Sequence, residues 1–550
     1  MPNLARVGAT TLADTEFDLA IVGAGINGAA IARDAATRGL SVVVVDKADV
    51  GSGTSSWSSR LIHGGLRYLE HGELRLVHES LHDRERLLHI APHLVTPLPF
   101  VVPVYRHNHK PGWMFRAGMV LYDGLSLRKS VPRHRVLGRK ALAVELGSLN
   151  PDGLSAGLRY YDGQVVFAER LVLDTLLSAA AAGASVLTYA TASIMTAGGA
   201  AVGLTVHDQV TGADHAVRAK VVVNAAGPWV DEADAGLGLD RMIGGTKGTH
   251  IVVDKFPGAP DVAIYYEARS DNRAVLVIPW NGRYLIGTTD DRFDGDVDTV
   301  AGTAAEIDYL LAETNTLIPE AGLTTDSVLF SYAGVRPLPY RPGVKSGNIP
   351  RSHLILTHED VTNLISIVGG KLTPHLSLGT ETVDLAARLL GRRLPPSRTS
   401  VTPLPGGVDD WPAAARRLRA RMPWDKAVVD RLLAVYGVRC AELVALTRAD
   451  AGQARLIGTG EAAVLVAEVT LAVRAEGAVH LADILHRRTM IGLYPPLALD
   501  VDREVAQVAA PLLGWSASEV EAQVRAHRDY VHTKLLGGVA RRVPESAPAG

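Results

Sequence analysis

The sequence predicts an α/β protein with a parallel sheet, a second, antiparallel sheet and a C-terminal helical domain. An apolar run, a segment with helical spacing and another apolar run follow one another between residues 17 and 45. This order is typical of a strand, helix, strand unit whose strands are buried on both faces. Apolar runs at 275–279 and 284–287 flank a short turn and predict an antiparallel hairpin. After a Pro/Gly/Ser-rich segment at 394–410 the pattern becomes mostly helical.

Composition narrows the class of protein. A chain of 550 residues exceeds what one core usually organises, so we expect two or three interleaved units. Lys and Arg total 56 against 58 Asp and Glu, so no overall field attracts nucleic acid. Cys440 is the only cysteine, which excludes an intrachain disulfide framework and Cys-based metal sites, and we predict no metal. Residues 1–16 lack the apolar core of a signal peptide, and glycines break the uncharged stretch 175–207, so we expect a cytoplasmic protein without a membrane span.

A glycine-rich turn follows the first predicted strand. Gly23 permits a tight turn, Gly25 lets backbone amides approach a pyrophosphate, and Gly28 allows close packing of helix on strand. The helix N-terminus adds partial positive charge, and Asp46, eighteen residues after Gly28, can accept hydrogen bonds from a ribose diol. The unit therefore predicts dinucleotide binding, without distinguishing FAD from NAD.

Several further segments carry a family resemblance. The runs are TSSWSSRLIHGGLRYLE at 54–70, NAAGPW at 224–229 and VGGKLT at 368–373, with GTH at 248–250, GTTD at 287–290 and GVRP at 334–337 between the last two. On these motifs and their order the sequence resembles the FAD-dependent, respiratory glycerol-3-phosphate dehydrogenases from about residue 18 to 373. A fainter similarity continues at 481–493, LADILHRRTMIGL.

The resemblance implies a fold and a cofactor. We expect a Rossmann-like, D-amino-acid-oxidase-like FAD-binding domain at 17–75, 150–230 and 350–392, and a substrate-binding cap at 76–149 and 231–349. A linker at 393–410 and a helical domain at 411–542 complete the expected chain. FAD is expected to bind noncovalently. The implied cofactor-binding residues are Gly23, Gly25, Ile26, Asn27, Gly28, Asp46, Lys47, Thr54, Ser55, Ser58, Ser59, Leu61, His63, Gly64, Gly65, Val186, Ala226, Gly227, Trp229, Gly370, Lys371, Leu372 and Thr373.

The implied reaction is oxidation of sn-glycerol 3-phosphate to dihydroxyacetone phosphate, with hydride passing from C2 to flavin N5. Arginine forks suit a phosphate dianion. The implied substrate-binding residues are Arg67, Tyr68, His250, Arg336, Arg351 and Lys371, and the implied catalytic residues are His63, Arg67, Arg336 and Lys371. For the base that takes the C2 hydroxyl proton, His63, His250 and Lys371 remain open, with His63 preferred because it lies inside the signature.

The sequence departs from the family at two places. Pro374, His375 and Leu376 follow the GGKLT run, where Thr-Tyr-Arg is usual, and Arg60 stands where Lys is common. The first change removes an aromatic hydroxyl and a cation near the flavin loop, and it bears on turnover and substrate preference. FAD binding should persist, because Gly369 and Gly370 remain.

A segment rich in basic and large apolar residues bears on the identity of the electron acceptor. Residues 106–140 contain nine Lys or Arg and one acid, Asp123, among large apolar groups. This mixture suits a protein lying on an anionic bilayer, where a membrane quinone would be the acceptor. A solvated basic face with its apolar side on the core explains the segment equally well. We also expect a homodimer, for which the apolar C-terminal helices offer an interface.

Three other functions stay open at this point. A flavin oxidase of an amine or a 2-hydroxy acid would bind a carboxylate, which needs fewer cations than this sequence supplies. A non-catalytic flavoprotein, serving as a scaffold or redox sensor, would explain the change at residues 374–376. A tRNA-modifying flavoprotein conflicts with the balanced charge.

Overall fold

Two large sheets and a set of C-terminal helices make up the fold, which we describe from a computed structural model for residues 3–4, 6–66, 68, 72–109, 111–126 and 129–539. The strands are β1 Glu16–Val22, β2 Val42–Val45, β3 Leu61–Ile62, β4 Val95–Tyr105, β5 Arg135–Gly138, β6 Leu154–Val165, β7 Ser185–Leu187, β8 Ala190–Ala197, β9 Ala200–Asp208, β10 Ala213–Asn224, β11 Thr246–Val253, β12 Ala263–Glu267, β13 Ala274–Trp280, β14 Arg283–Gly287, β15 Asp291–Arg292, β16 Val328–Arg336, β17 Leu354–Thr357, β18 Leu364–Val368, β19 Leu456–Ile457 and β20 Val464–Leu465. The helices are α1 Ala9–Ala13, α2 Ile26–Thr37, α3 Leu74–Ile90, α4 Gly112–Leu125, α5 Arg139–Glu145, α6 Ala168–Ala181, α7 Val230–Ala233, α8 Ala304–Leu317, α9 His375–Leu389, α10 Trp411–Arg419, α11 Lys426–Tyr436, α12 Cys440–Ala449, α13 Val466–Arg474, α14 Leu481–Asp483, α15 Asp502–Leu513 and α16 Ala517–Tyr530.

The first sheet has the strand order β17, β18, β10, β1, β2, β7, and every neighbouring pair along it is parallel except β17 with β18. Helices α2, α6 and α9 cover one face, and the hairpin β8–β9, which extends β10, lies against the other. The four valines of β2 are fully buried because both faces are covered. The predicted strand, helix, strand unit is confirmed.

The second sheet runs β15, β11, β14, β13, β12, β4, β6, β3, with β16 on β11 and β5 on β6. Its pairs are antiparallel apart from β12 with β4. The predicted hairpin β13–β14 is confirmed, and its two turn residues, Asn281 and Gly282, have φ of 52° and 74°, as the right-handed strand twist favours. β6 pairs with β4 in this sheet, although the boundary predicted at residue 150 assigns it to the cofactor domain.

The segment predicted as a linker packs against α2, the helix that follows the glycine turn. Arg33 donates to the carbonyls of Thr399, at 3.0 Å, and Thr402, at 2.6 Å. The Ser397 hydroxyl donates to Asp34 on the same helix. This segment is therefore a fixed strap along α2.

The C-terminal helices dock on the first sheet through buried ion pairs. Asp49 accepts from Arg487 at 2.5 Å and from Arg488 at 2.7 Å, and all three side chains are buried. Glu476 likewise accepts from Arg170 of α6, at 2.8 Å. Burial would raise the pKa of the Asp49 carboxyl, but Arg488 and Arg487 hold it at about 2. Because Asp49 is three residues from Asp46, the helical domain is tied to the predicted cofactor loop.

Candidate active site

The glycine turn has the geometry that a pyrophosphate site requires. Gly23 has φ of +105°, and a Cβ there would lie 2.5 Å from the carbonyl oxygen of Ala225. A Cβ on Gly28 would overlap the Gly23 carbonyl oxygen, so only glycine lets α2 pack this close to β1. Asp46 accepts from the backbone N–H of Ala24 at 2.5 Å, and burial raises the pKa of this carboxyl to about 6.

The signature loop at 52–60 lies against the N-terminus of α2. The Ser55 hydroxyl accepts from the N–H of Ile26 at 3.0 Å, where a phosphate would meet the helix dipole. The Thr54 hydroxyl instead donates to the carbonyl of Val335, at 2.7 Å, so it is engaged inside the protein. The Ser58 hydroxyl accepts from the N–H of Arg60 at 3.2 Å. Of these three hydroxyls, Ser55 is the one placed on the α2 N-terminus.

Arg60 anchors the loop from behind. Its guanidinium forms a buried fork with Glu169 at 2.8 Å and also donates to the carbonyl of Ser56. The ring of Trp280 lies 4.9 Å from the guanidinium carbon. A planar fork is better suited than a lysine ammonium to hold a carboxylate, a carbonyl and a ring together, which explains this departure from the family.

Two loops that the sequence analysis assigned to the flavin meet each other. The N–H of His63, directly after Leu61–Ile62, donates to the Thr373 hydroxyl at 3.0 Å, and Leu372 beside it is buried. Gly370 has φ of +90°, and a Cβ there would overlap the Asn27 amide. A Cβ on Gly65 would overlap the ring of Tyr68. The glycines therefore allow the Asn27 amide and the Tyr68 ring to pack closely against these loops, and we call the surface that the loops form the cradle.

A buried polar network that the sequence analysis missed supports this cradle. The N–H of Gly64 donates to the Tyr122 hydroxyl at 2.9 Å, and that hydroxyl donates to Asp162 at 2.8 Å. Arg84 completes the network with a 2.6 Å bond to Asp162. Its members lie on α3, α4 and β6, and nothing in the linear sequence joins them.

Lys47 and Trp229 lie together at the other end of the cradle. The Lys47 ammonium sits 4.4 Å from the centre of the Trp229 ring. The preceding turn contains Ala226, whose N–H donates to Asn224, and Gly227, with φ of 62°. Val186 is buried in β7, where its carbonyl accepts from the N–H of Val7, so that acceptor is already used.

Two predicted substrate arginines share one carboxylate. Arg336 donates to Asp290 Oδ1 at 3.1 Å, and Arg351 donates to Asp290 Oδ2 at 2.7 Å. Arg336 also donates to the Thr288 hydroxyl at 2.9 Å. The two arginines hold the pKa of the Asp290 carboxyl below its usual value. Asp290 lies inside the GTTD motif, which is the signal that could have identified it.

Lys371 is the third cation of this region. Its ammonium lies 3.5 Å from the centre of the Tyr68 ring and has no hydrogen-bond partner among the described residues. Burial lowers the pKa of Lys371 well below its usual value; Arg351 acts in the same direction, and Glu73 opposes both. Arg67, also predicted here, lies outside the described residues. An anion bound nearby would favour the charged form of this buried amine.

The two candidate histidines differ in environment. His250 is bonded through Nε2 to the Ser59 hydroxyl at 2.8 Å and stacks on Tyr332. Burial, with Arg336 and Arg60 nearby, lowers the pKa of His250 to about 3. Burial also lowers the pKa of His63, although Asp162 acts against it. Both rings are therefore neutral at pH 7.

The departure from the family at residues 374–376 places His375 in the interior of the protein. His375 begins α9 and is buried, and its Nδ1 is bonded to the carbonyl of Leu372 at 2.8 Å. Burial lowers the pKa of His375 to about 4, so it is neutral. The residue fixes the end of the flavin loop from behind and adds no charge to the site.

The residues present fit a large, flat dinucleotide cofactor. The glycine turn and the α2 N-terminus supply close-approaching backbone and N–H donors, and Asp46 supplies a carboxylate acceptor. Trp229 Nε1 and Asn27 Oδ1 are buried without hydrogen-bond partners among the described residues, as expected of groups that face a ligand. Fold and site together define a flavin-dependent oxidoreductase.

Comparison with known proteins specifies the family. Residues 18–384 match the model described as FAD dependent oxidoreductase, and residues 397–520 match the C-terminal domain of alpha-glycerophosphate oxidase. A glycerol-3-phosphate dehydrogenase from Synechocystis sp. is 42% identical over 95% of this chain and 98% of its own. A D-erythritol 1-phosphate dehydrogenase from Brucella abortus is 36% identical over 86% of this chain and 94% of its own. The FAD complex of glycerol-3-phosphate dehydrogenase from Bacillus halodurans superposes with a TM-score of 0.77, at 26% identity and 98% coverage of both chains. The chain belongs to the FAD-dependent glycerol-3-phosphate dehydrogenase family and is an enzyme that uses FAD.

Proposed function

We propose that the enzyme oxidises sn-glycerol 3-phosphate to dihydroxyacetone phosphate and passes the electrons to a membrane quinone. The observation that carries the substrate is the cation cluster. In it Arg336 and Arg351 share the single carboxylate of Asp290, beside the Lys371 side chain, whose Nζ has no hydrogen-bond partner among the described residues. With Lys371 charged, these four groups sum to +2, which matches a phosphate dianion. A carboxylate substrate would neutralise half of that charge.

Each cation has a distinct task in binding. The two arginines are oriented by Asp290 before substrate arrives, so less side-chain entropy is lost on binding. The Lys371 amine gains its proton as the dianion approaches, which couples substrate binding to proton uptake. The same cluster would bind any polyol monophosphate, so the carbon chain has to be distinguished by other contacts.

When bound, FAD supplies the hydride acceptor, with N5 taking the hydrogen from C2 of the substrate. The protein must hold C2 near the cradle and remove the proton of the C2 hydroxyl. We assign that proton to His63, whose backbone is fixed to the flavin loop by Thr373 and whose ring is neutral. His250 is assigned to orientation, because Ser59 already engages its Nε2.

Anaerobic mixing of the purified, FAD-loaded enzyme with excess sn-glycerol 3-phosphate tests the substrate. We expect rapid bleaching of the flavin, only slow residual bleaching with unphosphorylated glycerol, and loss of bleaching in Arg336→Ala. D-Erythritol 1-phosphate serves as the comparison polyol phosphate. Bleaching by an amino acid or a 2-hydroxy acid, with no response to glycerol 3-phosphate, would replace the proposal with an oxidase.

A quinone acceptor requires the enzyme to contact a membrane surface, and the exposed face of α4 is suited to that contact. Phe115, Met119 and Tyr122 bury one face of this helix. On the other side Trp113 and Val120 are 68% and 63% exposed, and the helix lies within the basic sequence segment 106–140. A solvated basic face does not need exposed tryptophan, whereas an interfacial helix does. No helix among the described residues is both long and apolar enough to span a bilayer. We propose peripheral association with the cytoplasmic face.

Sedimentation with vesicles tests that association. Wild type should bind vesicles that contain anionic lipid and release them at high salt, since each basic residue contributes only about 1 kcal/mol. Trp113→Ser should weaken binding, and Val401→Ser, which removes an exposed apolar group elsewhere, should not. Equal binding of both variants would remove α4 from the contact.

A further inference from the structure

A cleft lies between α3 and β17, outside the cluster formed by Arg336, Arg351 and Lys371. Its volume is about 450 Å³, a size typical of small-molecule sites. Among the described residues its apolar wall is formed by Leu76, Leu354, Ile355 and Leu356. Nothing in the proposed binding of a polyol phosphate uses these side chains.

The cleft shares a wall with the flavin loop. Leu354 pairs directly with Val368, the residue before the Gly369-Gly370 turn, and neighbouring strands are about 4.8 Å apart. A Cβ on Gly369 would lie 3.4 Å from the carbonyl oxygen of Ser352. One thickness of backbone therefore separates a ligand in the cleft from the cofactor loop.

Proton-carrying groups face one another across the cleft. Glu79 Oε1 lies 3.9 Å from His353 Nδ1, and neither atom has a hydrogen-bond partner among the described residues. His353 Nε2 lies 3.6 Å from Glu381, which also pairs with Arg75 at 3.0 Å. A separation of 3.9 Å is too long for a hydrogen bond and leaves both atoms available to a ligand oxygen.

We propose that this cleft binds the electron acceptor, as a neutral carrier of the quinone class. The lining charges of Arg75, Glu79 and Glu381 sum to −1, or to zero with Glu79 protonated, so a phosphate dianion is not attracted. The aliphatic wall suits a ring. The proposal rests on the proposed function as the source of electrons.

The acceptor step balances in electrons and protons. The quinone would gain two electrons from the reduced cofactor, one proton from the Glu79 carboxyl and a second proton from water, and would leave as the quinol, while the reduced cofactor would release its own proton to solvent. Glu79 then recovers a proton from water. With Nε2–H directed at Glu381, His353 Nδ1 is an acceptor and takes a hydrogen bond from the hydroxyl of the quinol.

The charges around Glu79 favour this role near neutral pH. Burial raises the pKa of Glu79 to about 7, and Glu381 and Asp83 act in the same direction. Arg75 and Lys371 act against it. Burial lowers the pKa of His353, so this ring adds no charge. The carboxyl is protonated below pH 7 and can donate; above it the donor is lost.

Stopped-flow reoxidation tests the cleft without the substrate step. The FAD-loaded enzyme is reduced with dithionite and mixed with ubiquinone-1 or, as an acceptor that takes no proton, ferricyanide. Ser352→Phe should fill the cleft and lower the rate constant with ubiquinone-1 by at least about 10-fold, leaving ferricyanide and bleaching by glycerol 3-phosphate within about 2-fold. Glu79→Gln should lose the fall in the ubiquinone-1 rate above pH 7, and Glu359→Gln, which removes an exposed acid after β17, should keep it.

Two results would overturn the proposal. One is unchanged reoxidation by ubiquinone-1 in both variants. The other is slower bleaching by glycerol 3-phosphate with normal reoxidation, which would make the cleft the substrate entrance. If Ser352→Phe does not retain FAD, the pH profile of Glu79→Gln decides alone. Failure of the proposed substrate is distinguishable, because dithionite-reduced wild type would still be reoxidised while glycerol 3-phosphate left the oxidised flavin unbleached.

Discussion

Truncation of Arg351 should weaken phosphate binding and leave the site folded. In Arg351→Ala, Asp290 keeps its 3.1 Å bond from Arg336, so no buried carboxylate loses all its partners. The charge of the cluster falls from +2 to +1, counting Arg336, Arg351 and Lys371 against Asp290. The loss is therefore expected in substrate affinity, with little effect on stability.

The magnitude follows from the geometry of the fork. A hydrogen bond to a charged group contributes about 1.5–3 kcal/mol, and a guanidinium can offer two to one phosphate. A net loss of about 3–4 kcal/mol corresponds to a decrease in kcat/KM of about 10²–10³, at tenfold for each 1.4 kcal/mol. Arg351→Lys keeps the charge without the fork and should lose about 10-fold.

Steady-state reduction of an artificial dye, measured with both variants, provides kcat and KM separately. The rise should lie mainly in KM for glycerol 3-phosphate, and residual turnover of unphosphorylated glycerol should not change. A decrease of equal size for glycerol, or none for the phosphate ester, would refute the assignment of Arg351 to the phosphate. Retention of FAD in both variants is the control for folding.

Three further predictions concern the cofactor, the base and the domain contact. Gly370→Ala should abolish FAD retention, measured as the flavin content of the purified protein, because its Cβ would overlap Asn27 at a φ of +90°. The rate of flavin bleaching should stay constant as the pH falls past the usual pKa of histidine and decrease only below it, because burial lowers the pKa of His63. In His63→Asn the rate should be low at every pH. Asp49, with a pKa of about 2 in the folded protein, should contribute about 2 kcal/mol above pH 4 that is lost as the pH falls towards 2, and urea denaturation should detect the loss in wild type and its absence in Asp49→Asn.

Local patterns in the sequence predicted the parts of the fold that neighbours along the chain determine. The glycine turn and the Asn281-Gly282 hairpin depend on φ values that few residues adopt, so their positions could be read directly. The placement of β6 could not. Its strand carries Gly157 and Gly163, its partner β4 carries prolines, and a register set by tertiary contact leaves no periodic signal.

The same limit applies to the site. The resemblance predicted Arg336 and Lys371 through ordered motifs and Arg351 only through a weaker segment at 349–351; in the structure Arg336 and Arg351 share Asp290, and Arg351 acts electrostatically on Lys371. The support behind them was not predictable, since Tyr122 and Asp162 are 40 residues apart and meet only because α4 crosses β6. Asp290 was visible in a quoted motif, but a counter-ion is recognised only when its partners are placed.

The buried ion pairs between the C-terminal helices and the first sheet limit how the chain can be truncated and whether its helical part can be exchanged between proteins. Separating a chain cut within the 397–402 strap would break the pairs of Asp49 with Arg487 and Arg488 and the pair of Arg170 with Glu476, while Arg170 would keep Asp174 on its own helix. The helical part therefore cannot be exchanged as a free module, because a substitute would have to present the same arginines and carboxylate at the same points. Fragments should survive only when both halves are produced together and reassemble.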